Sequence, residues 1–227
     1  LASSRSTVTR ALSALAERGL VERTDAGYRL TPQGCIVADS LDALIDTVRT
    51  TDELATFIRW FPYSEYAVDV EHLRGADIAA STDPDPYAPS RKHAAAVREA
   101  TRFRMVLPSI DLQMVRTVEE QIVTGSLDVE ILVSPGIEET IANGDFADTL
   151  RPQMAAGGMT VFVADEPAPF YLGLSDGGLV QVGVEDDKGF PRALVESDDE
   201  DLREWGEGVY ERFRETAREK PLAEFEP

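Results

Sequence analysis

The chain has 227 residues, 22 lysines and arginines against 42 aspartates and glutamates, a formal net charge of −20 and a 43% hydrophobic content. That length holds about one and a half domains at roughly 150 residues each, with ample apolar content for a packed core, and the charge excludes a molecule that is basic all over. No apolar run approaches the roughly 18 residues of a membrane span and the visible start is not a signal peptide, so a folded cytoplasmic protein with no membrane partner is expected. A single cysteine, Cys35, excludes internal disulfides and cysteine-based metal clusters; its expected role is a small buried hydrophobe at the start of a helix.

The first predicted element is a short helix from about Ser4 to Arg18. Val8, Ala11, Leu12 and Leu15 are spaced three and four apart and form one apolar stripe, while Arg5, Thr7, Thr9, Arg10 and Ser13 lie off it. Hydroxyls and arginines suit phosphates and base edges in a major groove, because a guanidinium grips guanine or phosphate through two parallel hydrogen bonds. Gly19 stops the helix. Leu20–Arg23 and Tyr28–Leu30 are strand-like runs around Thr24-Asp25-Ala26-Gly27, a hairpin turn whose glycine can take positive φ. A hydroxyl-and-arginine helix, a Gly-Leu-Val-Glu-Arg exit, a tight hairpin and a Thr-Pro-x-Gly restart follow in order. This order resembles the second half of the winged helix-turn-helix of bacterial and archaeal regulators. The resemblance implies a recognition helix and a wing on double-stranded DNA, with Ser4, Arg5, Ser6, Thr7, Thr9, Arg10 and Ser13 on the helix and Thr24 and Tyr28 on the wing as the contacting residues. The two helices that precede a recognition helix have no room before Leu1, so the chain is expected to be the downstream part of a longer protein.

Charge divides the chain in the same place. Residues 1–34 carry +2 and the remainder −22, so only the amino-terminal face is suited to docking on DNA. Lys92, Lys188 and Lys220 are the only lysines. An acidic, lysine-poor composition resembles the proteins of salt-loving archaea, where molar salt shortens the Debye length to about 3 Å and blunts self-repulsion.

After the wing, Thr31 is a good N-cap and Pro32 an apt first helical residue. Val37, Leu41, Leu44 and Val48 then make a narrow seam that fits either the chain's own body or a second copy in a homodimer. Thr50 with Glu53 reads as a capping box for a further helix bearing Leu54, Phe57, Ile58 and Phe61, ended by Pro62. Tyr63–Gly75 reads as a linker with a short helix. The expected domains are therefore a winged-helix half over 1–34, a helical linker over 35–75 and an α/β regulatory domain over 76–220.

From about Asp77 strands and helices alternate. Ile78–Ser81, Phe103–Leu107, Val129–Val133 and Met159–Val163 are β-prone, with helical stretches at 90–100, 111–124 and 137–155 between them. This rhythm predicts an α/β fold with a mostly parallel sheet. Phe170–Leu174, Leu179–Val184 and Arg192–Val195, joined by Ser-Asp-Gly-Gly and Asp-Asp-Lys-Gly, predict an antiparallel meander at the sheet edge. Ser197 with Glu200 makes a capping box for a last helix that buries Leu202, Trp205, Val209 and Phe213 and closes at Lys220-Pro221. Asp85-Pro86-Tyr87, His93 in Lys-His-Ala-Ala-Ala-Val-Arg-Glu-Ala, Pro108, Pro169-Phe170-Tyr171-Leu172, Glu204-Trp205-Gly206 and Val209-Tyr210-Glu211-Arg212 carry a further likeness. The region from about Thr56 to Arg218 resembles the carboxy-terminal domain of archaeal winged-helix regulators typified by the filament-formation and methanogenesis regulator of methanogens, a family abundant in haloarchaea. None of these motifs is a chemical constellation, so the resemblance implies a sensor or scaffold.

Catalytic parts are sparse. Related regulators use domains like phospholipase D halves, which need His-x-Lys, but here His93 is followed by Ala94 and Ala95 and the lysine precedes it. There is no Walker-type loop and no Gly-x-Ser-x-Gly elbow, so no catalytic residue, metal or cofactor is expected. Paired acids such as Asp83/Asp85 and Asp186/Asp187 read as solvated turn residues. In open α/β sheets ligands sit beyond the carboxyl ends of parallel strands, which makes Thr82, Tyr87, His93, Ser109, Ser134 and Asp165 the candidate walls of a crevice for a small-molecule effector. The expectation is a dimeric, DNA-binding transcriptional regulator with a ligand-sensing or dimerisation domain. The alternative is a small-molecule enzyme or degenerate phospholipase-D-like domain fused to a DNA-binding module.

Overall fold

A computed structural model describes residues 5–225, divided into two compact units that meet between Asp52 and Glu53. None of the described helices is long and apolar enough to cross a membrane. In the first unit, helix α1 (Arg5–Glu17) leads into strands β1 (Val21–Thr24) and β2 (Gly27–Leu30), followed by helix α2 (Pro32–Glu53). Gly19 adopts φ 70° and lets Leu20 N–H reach back to Leu15 O at 3.0 Å, closing the last turn of α1. β1 and β2 pair antiparallel from Val21↔Leu30 to Thr24↔Gly27. Thr31 caps α2 by accepting Gly34 N–H at 3.0 Å and donates to Gly19 O at 2.6 Å, tying the helix start to the end of α1.

Two local expectations are corrected here. Cys35 is exposed. The inward residue of that turn is Gly34, whose Cβ would stand 1.9 Å from Leu20 O, and its neighbour is rotated about 100° away. The Thr50/Glu53 capping box does not form, because α2 runs on through it. Helix α3 (Ala55–Trp60) then begins after Leu54 with no side-chain cap. Along α2, Val37, Leu41, Leu44 and Val48 are 46, 53, 59 and 50% exposed.

The second unit is a mixed α/β domain. Its elements are α3, a 3-10 turn at Val70–Leu73, β3 (Asp77–Ala80), α4 (Ala88–Glu99), β4 (Arg102–Leu107), α5 (Leu112–Val123), β5 (Asp128–Val133), α6 (Pro135–Ile141), α7 (Gly144–Ala155), β6 (Met159–Val163), β7 (Tyr171–Ser175), β8 (Val180–Glu185), β9 (Pro191–Ser197), α8 (Glu200–Thr216) and β10 (Arg218–Glu219). They build one sheet ordered β10-β6-β5-β4-β7-β8-β9-β3. β4, β5 and β6 form the parallel core. The meander β7-β8-β9 continues it antiparallel, and β3 closes that edge against β9 through Asp77↔Glu196 to Ala80↔Ala193. The first strand thus lies at the far edge, beyond the meander and outside the parallel core where alternation put it. β10, absent from the sequence reading, pairs with β6 where the last helix was expected to close.

Alternation along the central strands builds two cores. Val106 of β4 and Leu132 of β5 join Phe57, Phe61, Phe170, Leu202, Tyr210 and Phe213 on the face covered by α3 and α8. Phe103, Met105, Val129 and Ile131 join Val97, Val118, Ile122 and Leu150 on the face covered by α4, α5 and α7. Residues 54–73, read as a helix and a linker, contribute Leu54, Tyr66, Val68 and Leu73 to the first of these cores. The cap of α8 is Asp199, which accepts Leu202 N–H at 2.8 Å, while Ser197 accepts Asp199 N–H. The turn acids are not simply solvated either. Asp85 grips Arg91 through both oxygens at 2.8 and 2.5 Å, and Asp186 accepts the Lys188 and Phe190 amides and holds Arg192.

Candidate functional site

Two places carry chemistry, one in each unit. In the first, Arg5, Ser6, Thr7, Thr9, Arg10 and Ser13 are all exposed on α1; Ser4 lies outside the described residues. Arg5, Arg10, Arg18 and Arg23 have no carboxylate within ion-pair distance among the described residues, whereas Arg29 is bound to Glu22 across the hairpin at 2.5 Å. Such guanidinium groups on an exposed helix are available to an anionic partner. The Thr9 hydroxyl donates to Arg5 O at 3.0 Å and is engaged with the helix itself. Thr24 ends β1, and Tyr28 of β2 is 37% exposed.

In the second unit a cavity of about 610 Å³ lies between the sheet and the helices α4 and α5. Its wall is mostly apolar, with Ala94, Val97, Met105, Ile110, Met114 and Val118 among the lining side chains. Its size falls within the range of small-molecule sites. Polar side chains also enter the wall, Arg91, Arg98, Asp111 and Gln113 among them, and two points carry hydrogen-bond networks. Near the carboxyl end of β4, Ser109 Oγ donates to Glu185 Oε1 at 2.6 Å, and burial pushes the Glu185 carboxyl up from its ordinary value. Midway along α4, His93 Nδ1 lies 3.0 Å from Gln181 Oε1 and 2.9 Å from Tyr171 Oη. Gln181 Nε2 donates to Glu196 Oε2 at 2.7 Å, and Lys92 Nζ holds Glu196 at 2.9 Å. Burial pulls the His93 imidazole below its ordinary range and lifts the Tyr171 phenol well above its own, so both rings are neutral at ordinary pH. The Tyr171 ring reaches His93 by lying across two glycines. A Cβ at Gly173 would meet its hydroxyl at 2.2 Å, and one at Gly183 would meet its ring at 3.1 Å.

Of the six residues expected to wall a crevice, His93 and Ser109 line this cavity. The other four are not brought to it. Thr82 follows β3 at the sheet edge, and Tyr87 points outward at the start of α4, 70% exposed. Ser134 and exposed Asp165 follow the carboxyl ends of β5 and β6, whereas the cavity extends towards Val129 and Met159 at their amino ends. Tyr171, Gln181, Glu185, Glu196 and Lys92 were missed as site residues. One signal was available: Gln181 interrupts an otherwise apolar Val-Gln-Val run in a strand buried on both faces.

His72, Asp199 and Asp201 place potential metal-ligand atoms within 4.8 Å of one another. Asp199 is already committed as the α8 cap, and both carboxylates lie beside His72 Nδ1, at 3.7 and 3.6 Å.

No curated protein matches the sequence. Among solved structures, the chain resembles a phospholipase D family member, Nuc from Salmonella typhimurium, at 13% identity and a TM-score of 0.50, covering 64% of this chain and 99% of that one. TrmBL2, an archaeal chromatin protein, aligns at 14% identity and a TM-score of 0.47, covering 93% of this chain and 82% of that one. Residues 1–53 match the family described as the HVO_A0261 N-terminal domain. Residues 86–216, more than half of the chain and the whole of the cavity-bearing sheet core, match the family described as the methanogenesis regulatory protein FilR1, middle domain, and it is to this regulator family that the chain belongs.

Proposed function

We propose that the protein is a transcriptional regulator that binds double-stranded DNA through α1 and the β1–β2 hairpin, acts as a homodimer, and responds to a small-molecule effector held in the second unit. The observation that carries the DNA reading is the set of arginines on α1 and the hairpin without carboxylate partners among the described residues, in a chain whose residues from 35 onward carry −22. Repulsion keeps the acidic remainder off a polyanion, so docking is confined to this face. The exposed seam of α2 is suited to a second copy, because a/d spacing sustained from Val37 to Val48 matches an identical helix. Selection from a random pool of duplex DNA tests the reading. Enrichment of a two-fold symmetric sequence by the full chain, lost when Arg5 and Arg10 are both replaced by alanine, is the expected result; enrichment of no sequence refutes it.

A second reading, a phosphodiesterase, is favoured by the likeness to a phospholipase D fold. His-x-Lys is absent around His93, and the His93 ring is tied to Gln181 and Tyr171. Hydrolysis of bis(p-nitrophenyl) phosphate by the chain, abolished by His93→Ala, would replace the effector reading with this one.

A further inference from the structure

The orientation of His93 decides what the cavity can recognise. Gln181 Nε2 donates to Glu196, and Glu196 is in turn fixed by Lys92, so the amide oxygen of Gln181 is the atom that faces His93. An amide oxygen only accepts, and therefore His93 Nδ1 carries the proton. Tyr171 Oη, 3.3 Å from the same oxygen, completes the arrangement. His93 Nε2 is left as an acceptor, and it makes no hydrogen bond within the described residues. It belongs to a side chain that lines an otherwise largely apolar wall.

We infer that the cavity takes an uncharged, largely apolar molecule that donates a hydrogen bond, from a hydroxyl or an amide N–H, to His93 Nε2. This rests on the effector reading above and specifies the chemical class of the effector. An anionic headgroup of the same length meets a lone pair instead of a donor. Protonating His93 would relieve that repulsion, but burial opposes the charged ring. The second polar point acts in the same sense, because the Glu185 carboxyl beside Ser109 offers an anion no positive partner. Of the two arginines that line the cavity, Arg91 is engaged by both oxygens of Asp85, and Arg98 is exposed to solvent in the last turn of α4.

Calorimetric titration of the full chain with n-nonanol and with sodium nonanoate at about pH 7.5 separates the alternatives, since nonanoate is ionised there. The alcohol is expected to bind about tenfold more tightly, and His93→Leu is expected to narrow the preference to about twofold. A measurement on the unaltered chain does not depend on how that variant folds. The chain has two histidines, His72 and His93, and nitrogen-15 spectra with a His72→Gln sample for assignment report each ring. His93 is expected as the Nδ1–H tautomer, and its Nε2 resonance is expected to move upfield when nonanol is added. Equal or tighter binding of nonanoate, or an Nε2–H tautomer, overturns the ligand class while leaving the cavity as an effector site. Binding of neither compound overturns the effector reading together with the class.

Discussion

On α1, side chains alike in sequence differ in what they are free to do. Arg10 has no carboxylate partner among the described residues, while the Thr9 hydroxyl is spent on Arg5 O. Arg10→Ala is therefore expected to weaken binding to a selected operator by about 1–3 kcal/mol, as for loss of a bidentate base contact, and Thr9→Ala by less than about 0.5 kcal/mol. Fluorescence anisotropy with the full chain measures both, and equal losses would place Thr9 at the DNA despite its bond to the helix. His93 gives a pH signature. Burial lowers its folded pKa below the ordinary 6.5, against the opposing pull of Gln181 and Glu196. The unfolded chain then binds the proton first, so stability is full above 6.5 and declines as the pH falls through that value. Around it, the Tyr171 phenol, raised by burial, stays neutral and Lys92 stays charged over this window, while burial raises the Glu185 carboxyl towards it. His93→Leu should remove the decline between pH 6.5 and about 5.5 in denaturant titrations; an unchanged slope would assign it to other groups. Of this network, the sequence disclosed His93 and Ser109 because they follow strand ends. Gln181 and Tyr171 stayed hidden because they reach His93 across 88 and 78 residues of chain.

For the elements, periodicity revealed which stretches are helices and strands, but not what ends or neighbours them. Ser197-x-x-Glu200 fits the capping-box template, yet the chain turns two residues later and Asp199 becomes the cap of α8. Asp199→Ala should cost about 1 kcal/mol and Ser197→Ala less, by chemical denaturation; the reverse order would restore the box. Strand order was illegible for a different reason. β3 alternates like a strand of a parallel core, but its partner β9 lies more than a hundred residues downstream, and nothing local distinguishes the two placements. The α2 helix tests the proposed dimer. Leu41 and Leu44 are 53 and 59% exposed, an arrangement that costs a solvated apolar stripe unless a second copy covers it. Leu41→Glu with Leu44→Glu should convert the chain from dimer to monomer in sedimentation equilibrium at micromolar concentration while leaving the folded content unchanged. A parent chain that is already monomeric there would rule the dimer out.

The charge of the whole molecule makes its stability a function of salt. With −20 spread over 227 residues and only three lysines, like charges on the compact form repel one another. Unfolding relieves the repulsion by separating them. Screening relieves it without unfolding, so the thermal midpoint should climb between about 0.1 and 2 M KCl. Chloride is the anion to use, because sulfate would also strengthen apolar burial and mask the electrostatic effect. The choice of acids to neutralise follows from the structure. Asp186 is unsuitable, since its carboxylate organises the β8–β9 turn and holds Arg192, and Asp199 is a helix cap. Asp165, Glu166 and Asp187 are exposed, and their carboxylates accept no hydrogen bond from the described residues. Converting them to Asn, Gln and Asn removes three charges and breaks no hydrogen bond. The triple variant should melt about 2 °C higher than the parent at low salt, and the difference should fade as KCl approaches molar concentration, because exposed charges more than a few ångströms apart are then screened. Loss of stability at low salt would mean that those carboxylates make favourable interactions with their surroundings. A midpoint flat in KCl, with the triple variant indistinguishable from the parent, would mean that the acidic surface is not what sets the stability of this fold.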